Sequence, residues 1–222
     1  MNERSLTIID PVERENLAMF VSRAMRLDEA VVIRLRRRTE DQFTAWATTG
    51  FDTLATRVIG GVLNPTDTTA AGDALVNGIA THRDGAIELG YSVDSAWRGA
   101  LPPAAGFVHV DDLPARTLVE LAERGVALAK EHGSNQGPPV SLLEQEVVEV
   151  SGGGETVGIP MRVVFALTAM GFVPGADEPQ RMDPAEPVRV RATASWLRLD
   201  ARFGSVLKRR GGDIALMVAP PS

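Results

Sequence analysis

The sequence predicts an α+β fold in which antiparallel meander sheets pack with about four helices and the chain divides into two similar halves. Apolar residues at a spacing of two come in runs, Ala30 to Leu63 and Val188 to Val218, instead of alternating one strand at a time with helices. Connections inside each run are short, as antiparallel neighbours require. Each run also holds a tryptophan, Trp46 or Trp196, although no residue-level repeat relates them. The reading is one compact unit with sub-domains over residues 1–94 and 95–222.

Asp10 and Pro11 read as the N-cap and first residue of a helix over about 11–26, with Leu17, Phe20, Val21 and Ala24 on its buried side. Val31, Ile33 and Leu35 then alternate with Val32, Arg34 and Arg36 up to a polar turn at Thr39–Gln42, and Phe43–Thr48 and Leu54–Leu63 continue as strands. One face of this meander carries Val31, Ile33 and Leu35. The other carries Arg34, Arg36 and Trp46, flanked by Thr44 and Thr48. Asn64-Pro65 breaks the strand, and Asp67 or Thr68 is placed to cap a helix reaching about His82, with Ala71, Ala74, Leu75 and Ile79 on one side.

Gly85 to Asp112 shows no sustained periodicity, which reads as a packed loop or a junction. Asp111 or Asp112 is expected to cap the next helix, with Pro114 in its first turn. Its stripe is Leu118, Leu121, Ala122, Gly125, Leu128 and Ala129, its outer side pairs Glu120 with Arg124, and it ends at Lys130, His132 and Gly133. Beyond a linker at 134–139, Glu146–Val150 reads as a strand, SGGGET as a hairpin-like loop, and Pro160–Met170 as an apolar, buried helix stopped by Gly171. A surface loop at 175–187 precedes strands at Val188–Asp200 and Ser205–Arg209, a Gly211-Gly212 turn and a closing strand at Ile214–Val218.

Composition narrows the function classes. Hydrophobic residues make up 44% and charged residues 23% of 222, an ordinary balance for a folding globular chain. There is no cysteine, which excludes disulfides, thiolate metal sites and a cysteine nucleophile and fits a reducing cytoplasm. MNERSLTIID lacks a basic segment followed by an apolar one, and the run Val163–Val173 is far short of the roughly 20 residues needed to span a bilayer, so the chain reads as cytoplasmic and without a membrane. The net charge of −6 disfavours nucleic acid at long range. The local basic clusters, Arg34 with Arg36, Arg37 and Arg38, and Lys208 with Arg209 and Arg210, read first as solvated strand ends.

No familiar catalytic motif is present. Gly152, Gly154 and Gly158 do not make the dinucleotide spacing, and the following helix starts too late to meet a pyrophosphate. A nucleophile elbow and a zinc-binding histidine pair are both missing, so neither cofactor nor metal is implied. The remaining constellation lies in SAWRGALPPAAGFVHVDDLPA, residues 95–115. In an extended chain His109 and Asp111 share a side, the arrangement of an imidazole oriented by a carboxylate, with Trp97 as a wall and Arg98 as an anion clamp. The competing reading uses Trp97 to anchor a stiff loop and both aspartates to cap a helix. Arg34, Arg36 and Trp46 form a second candidate, a sheet face able to hold an anion or stack a base.

Trp97-Arg98-Gly99-Ala100-Leu101-Pro102-Pro103, Ala166–Phe172 and Phe203-Gly204-Ser205-Val206 resemble phrases of an uncharacterised conserved hypothetical protein family of high-GC Gram-positive bacteria, with no assigned activity. The resemblance implies a bacterial cytoplasmic accessory protein and transfers no site residue. The function expected is a non-enzymatic interaction module that self-associates, a homodimer being the simplest form, or binds a protein partner. The alternative is a small-molecule-binding or hydrolase-like enzyme built on Trp97, Arg98, His109 and Asp111.

Overall fold

The computed structural model describes residues 4–81, 85–132, 138–174, 183 and 185–211. The His82 end of the second helix, the linker at 134–137, most of the 175–187 loop, and the Gly212 turn with its Ile214–Val218 strand lie outside the described residues.

The first half opens with a short strand β1 (Ser5–Thr7) and helix α1 (Pro11–Leu27), which starts where expected: the Asp10 carboxylate accepts the Val12 N–H at 2.8 Å. The meander follows as β2 (Val32–Arg37), β3 (Gln42–Thr48) and β4 (Leu54–Gly60). Gly61 redirects the chain into β5 (Val62–Asn64), which joins β1 in a separate small sheet. β6 (Asp67–Ala71), α2 (Gly72–Thr81) and β7 (Ala86–Ile87) complete this half. A 3₁₀ turn at Asp94–Ala96 leads into the second half: β8 (Val108–Pro114), α3 (Ala115–His132), α4 (Val140–Glu144), β9 (Glu146–Gly152), β10 (Glu155–Pro160), α5 (Met161–Ala169), β11 (Pro187–Ala192), β12 (Trp196–Ala201) and β13 (Gly204–Arg209).

The main sheet has eight antiparallel strands in the order β6-β2-β3-β4-β13-β12-β11-β8. The order is palindromic. Each half contributes a three-stranded meander with a fourth strand added beside the meander's first, β6 beside β2 and β8 beside β11. The last strands of the two meanders, β4 and β13, meet in the middle. The similarity of the halves is therefore one of topology. The fourth strand follows its meander in one half and precedes it in the other, so no residue repeat needs to exist.

The helices cover one face of this sheet, α1 against α2 and α3 against α5. Ile33, Leu35, Phe43, Ala45, Val190, Leu199 and Val206 point into that core, together with Leu17 and Phe20 of α1 and almost all of α5. Burial of such side chains contributes on the order of 2 kcal/mol each before conformational entropy is subtracted. Beneath the meeting of β4 and β13, three contacts cross between the halves. Phe20 stacks on Phe172 with ring centroids 6.3 Å apart, Phe51 lies 5.9 Å from Phe165, and the buried Arg162, paired with Glu144 of its own half, donates to the Phe51 carbonyl at 3.0 Å and pairs with Asp52 across the joint.

Several expectations are corrected. Asp67 and Thr68 do not cap a helix; they lie in β6, paired with Arg36 and Leu35, and the buried β-branched Thr68 and Thr69 suit a strand better than a cap. The helix begins at Gly72. Asp111 and Asp112 likewise do not cap α3, because both sit inside β8 opposite β11, and the Ala115 N–H is taken by the Glu186 carbonyl at 2.8 Å. Pro114 ends the strand instead of entering the helix. The single strand drawn over Val188–Asp200 is the hairpin β11–β12, turned at Thr193, whose Oγ1 accepts the Trp196 N–H at 3.0 Å. That three-residue turn moves the buried set from even to odd positions and leaves Trp196 on the opposite face. Leu128 is 46% exposed, outside the buried stripe of α3. Glu155 and Thr156, expected in the hairpin-like loop, and Pro160, expected to open the helix, instead belong with Val157–Ile159 to a strand hairpinned to β9, and α5 starts at Met161.

Candidate functional site

The face of the main sheet turned away from the helices carries the polar and aromatic members of the alternation. At the meeting of the halves it bears Trp46, Leu54, Trp196 and Leu207, and the chain crossing between the halves lies on this patch through Trp97, Leu101 and Phe107. The Arg34 guanidinium stands 5.8 Å from the Trp97 ring and that of Arg198 5.6 Å from the Phe107 ring, so the arginine stems and the crossing chain shield each other's apolar surface. The Trp97 indole N–H donates to the Gly99 carbonyl at 3.0 Å.

Beside this patch, where β4 and the β12–β13 turn diverge, is a cavity of about 610 Å³ roofed by Leu101–Ala104. Its lining includes six arginines, Arg36, Arg37, Arg38, Arg57, Arg198 and Arg202, against two carboxylates, Glu13 and Asp200. Some of these cations are committed. Arg37 donates to the Leu63 carbonyl, Arg202 lies 3.5 Å from Glu186, and Arg198 donates to Asp200 at 2.6 Å. Asp200 also receives Ser205 and lies 3.5 Å from Arg191. Arg57 differs: it is half-buried, its guanidinium is 5.8 Å from the Phe203 ring, and desolvation lowers its pKa, with Glu13 partly offsetting that. The indole N–H of Trp46 is buried and, among the described residues, has no hydrogen-bond partner. Such a groove favours an anion; among the described residues no group of three or more histidines or carboxylates is placed to hold a metal.

The four residues of the 95–115 constellation are not gathered around this cavity. Trp97 packs on the sheet, and Arg98 is exposed beside it. His109 bonds Asp112 at 2.9 Å on the surface instead of facing Asp111, because a bulge in β8 opposite Val190 and Arg191 breaks the alternation. The Asp111 carboxylate accepts the Asp112 N–H at 2.8 Å. On the sheet face, Arg34 is held by a two-pronged bond to Asp67, both distances 2.8 Å, which raises its pKa chiefly through that hydrogen bond. Arg36 is 3.9 Å from the same carboxylate and, with Trp46, lines the cavity. Sequence reading missed Arg57, on the strand next to Trp46 in the same meander, and Arg198, Arg202 and Ser205, which reach the cavity only because the two meanders adjoin; the turn phrase Phe203-Gly204-Ser205 was the available sign.

This architecture resembles that of DNA polymerase sliding clamps. A putative DNA polymerase III β subunit from Eubacterium rectale superposes with a TM-score of 0.57 at 12% identity, covering 98% of this chain and 68% of that one. The sliding clamps of Caulobacter crescentus (0.56, 13%, 99% and 69%) and Bacillus subtilis (0.56, 12%, 99% and 68%) match in the same way. At such identities the likeness is one of fold. By sequence, the chain belongs to the family described as Domain of unknown function (DUF8185), whose model matches residues 102–213, and a second model, Domain of unknown function (DUF8010), matches residues 1–99. No curated protein matches. The expectation that nucleic acid is disfavoured gains no support, since the net charge does not describe the arginine-lined groove and the proteins of like fold are DNA polymerase subunits. Among the described residues no helix is long and apolar enough to cross a membrane.

Proposed function

We propose that this chain is a non-enzymatic interaction module of the bacterial cytoplasm that associates with copies of itself and presents its open sheet face to a protein partner. The observation that carries the reading is the palindromic eight-stranded sheet, with paired helices on one face only, an arrangement shared over nearly the whole chain with sliding clamps. The sub-domains 1–94 and 95–222 are, in this reading, two units of one design joined through β4 and β13. Among the described residues the main sheet ends in β6 and β8, with β9 packed beside β8, and edge strands of this kind are where further copies can add. Sedimentation equilibrium over a wide concentration range tests this. A species of two or more copies is expected at micromolar protein, and a monomer at every concentration refutes self-association.

A further inference from the structure

We propose that the arginine-lined groove binds an extended acidic segment of a partner protein, laid along the part of β4 that β13 leaves unpaired. This deepens the interaction reading and rests on it for the existence of a partner.

The first support is an opening in the sheet. β13 pairs with β4 only from Leu54 to Thr56, while β4 runs on to Gly60. Along an antiparallel strand the backbone groups of successive residues point alternately to either side. The Gly60 N–H points away from β3, to the Glu13 carboxylate at 3.1 Å, so the N–H and C=O of Val58, two residues earlier, point the same way. Val58 is 39% exposed and lines the groove, and among the described residues no strand lies on that side of it. An extended chain can supply the missing pairing.

Charge selects the kind of chain. Arg38 and Arg57 both line the groove, and among the described residues neither has a carboxylate within ion-pair distance. Arg57 is half-buried and the Glu13 charge only partly offsets its desolvation, so a further anion beside it is favourable. Apolar walls from Val58, Leu101 and Pro102 lie between the arginines. A strand whose successive side chains point to opposite sides can meet both surfaces if acidic and apolar residues alternate.

The same geometry argues against single-stranded nucleic acid, which needs free aromatic faces for its bases. Of the aromatic rings lining the groove, Phe203 already faces the Arg57 guanidinium and Trp46 is packed against the Leu54, Trp196 and Leu207 cluster.

The test is fluorescence anisotropy with a labelled peptide of about eight residues alternating Glu and Val, roughly the length of one strand. A Lys–Val peptide and an oligothymidylate of similar length serve as controls. The Glu–Val peptide should bind at low salt, weaken as salt rises, and bind about tenfold more weakly to Arg57→Gln, which corresponds to about 1.4 kcal/mol. Arg38→Gln, an exposed change that leaves the core untouched, should weaken it in the same direction. Absence of binding at low salt, equal affinity for both variants and the parent, or tighter binding of the oligothymidylate each overturns the proposal. Sedimentation of the same samples separates the two readings: lost peptide binding with association intact refutes the groove alone, and a monomer that still binds the peptide refutes self-association alone.

Discussion

Replacing Gly78 with alanine should destabilise this protein, although helix propensity predicts the reverse. Gly78 lies inside α2, where alanine is ordinarily better by about 0.8–1.0 kcal/mol. Here α2 packs on the strand segment after β7 so closely that a Cβ on residue 78 would stand 2.2 Å from the Glu88 carbonyl oxygen and 3.2 Å from Ile87 Cγ2. A backbone carbonyl cannot rotate aside, so helix and strand must separate by about an ångström. Overpacking of this kind costs about 1–3 kcal/mol, and a backbone clash belongs at the upper end. After the propensity gain is subtracted, a net loss of about 1–2 kcal/mol remains, which for a chain of this size lowers Tm by roughly 2–8 °C. The assay is thermal unfolding followed by circular dichroism, with Gly125→Ala in α3 as the comparison. There the added Cβ meets the Phe165 ring edge at 2.7 Å and Met161 Cε at 3.0 Å, side chains able to move. Gly125→Ala should therefore be far milder, and a Tm that rises for Gly78→Ala would refute the argument.

Arg162→Met should lose about 2–4 kcal/mol, because it strands the Phe51 carbonyl at the junction of the halves and removes contacts with two exposed carboxylates of small individual worth. A guanidinium midpoint equal to the parent's would show that the bridge is dispensable. Trp97→Ala should release the chain crossing the sheet face, seen as rapid proteolysis between residues 97 and 107 with the rest of the fold intact. Unchanged protection would mean that Phe107 and Leu101 hold it unaided. Asp94 has its pKa lowered, first by hydrogen bonds from Ser92 and Thr69 and then by the charges of Arg4 and Arg34. A carboxylate with a folded pKa below its unfolded value of about 3.9 contributes stability above that pH and loses it as pH falls through the folded value. Asp94→Asn should accordingly flatten the acid limb of the stability curve, and an acid limb identical to the parent's would count against this network.

The meanders were readable because their alternation depends on local chemistry. Ile33 and Leu35 face the core and Arg34 and Trp46 face outward, as the period of two requires. Two of the errors arose where tertiary pairing outweighed a local signal: Asp67 and Asp111 are both good capping residues, yet each was claimed by a neighbouring strand that is distant in sequence. The turn at Thr193 escaped notice because apolar residues continue through it at every second position while the strand reverses. The candidate groove was half visible. Arg36 and Trp46 were singled out on their own strands, but the opposite wall comes from residues about 150 positions later, and nothing in either segment announces that they meet.

That separation has a kinetic consequence. The two strands at the centre of the sheet share only three paired positions, and closing so long a loop earns little in return, so this joint should form late and slowly. Each half can acquire its own helices and meander from nearer neighbours beforehand. On refolding, helical ellipticity should recover before the emission of Trp46 and Trp196, which stand one on either side of the joint. Until it closes, a chain displays an open central strand matching that of any other unfinished copy, so exchange of halves between molecules competes with correct closure and should increase with concentration.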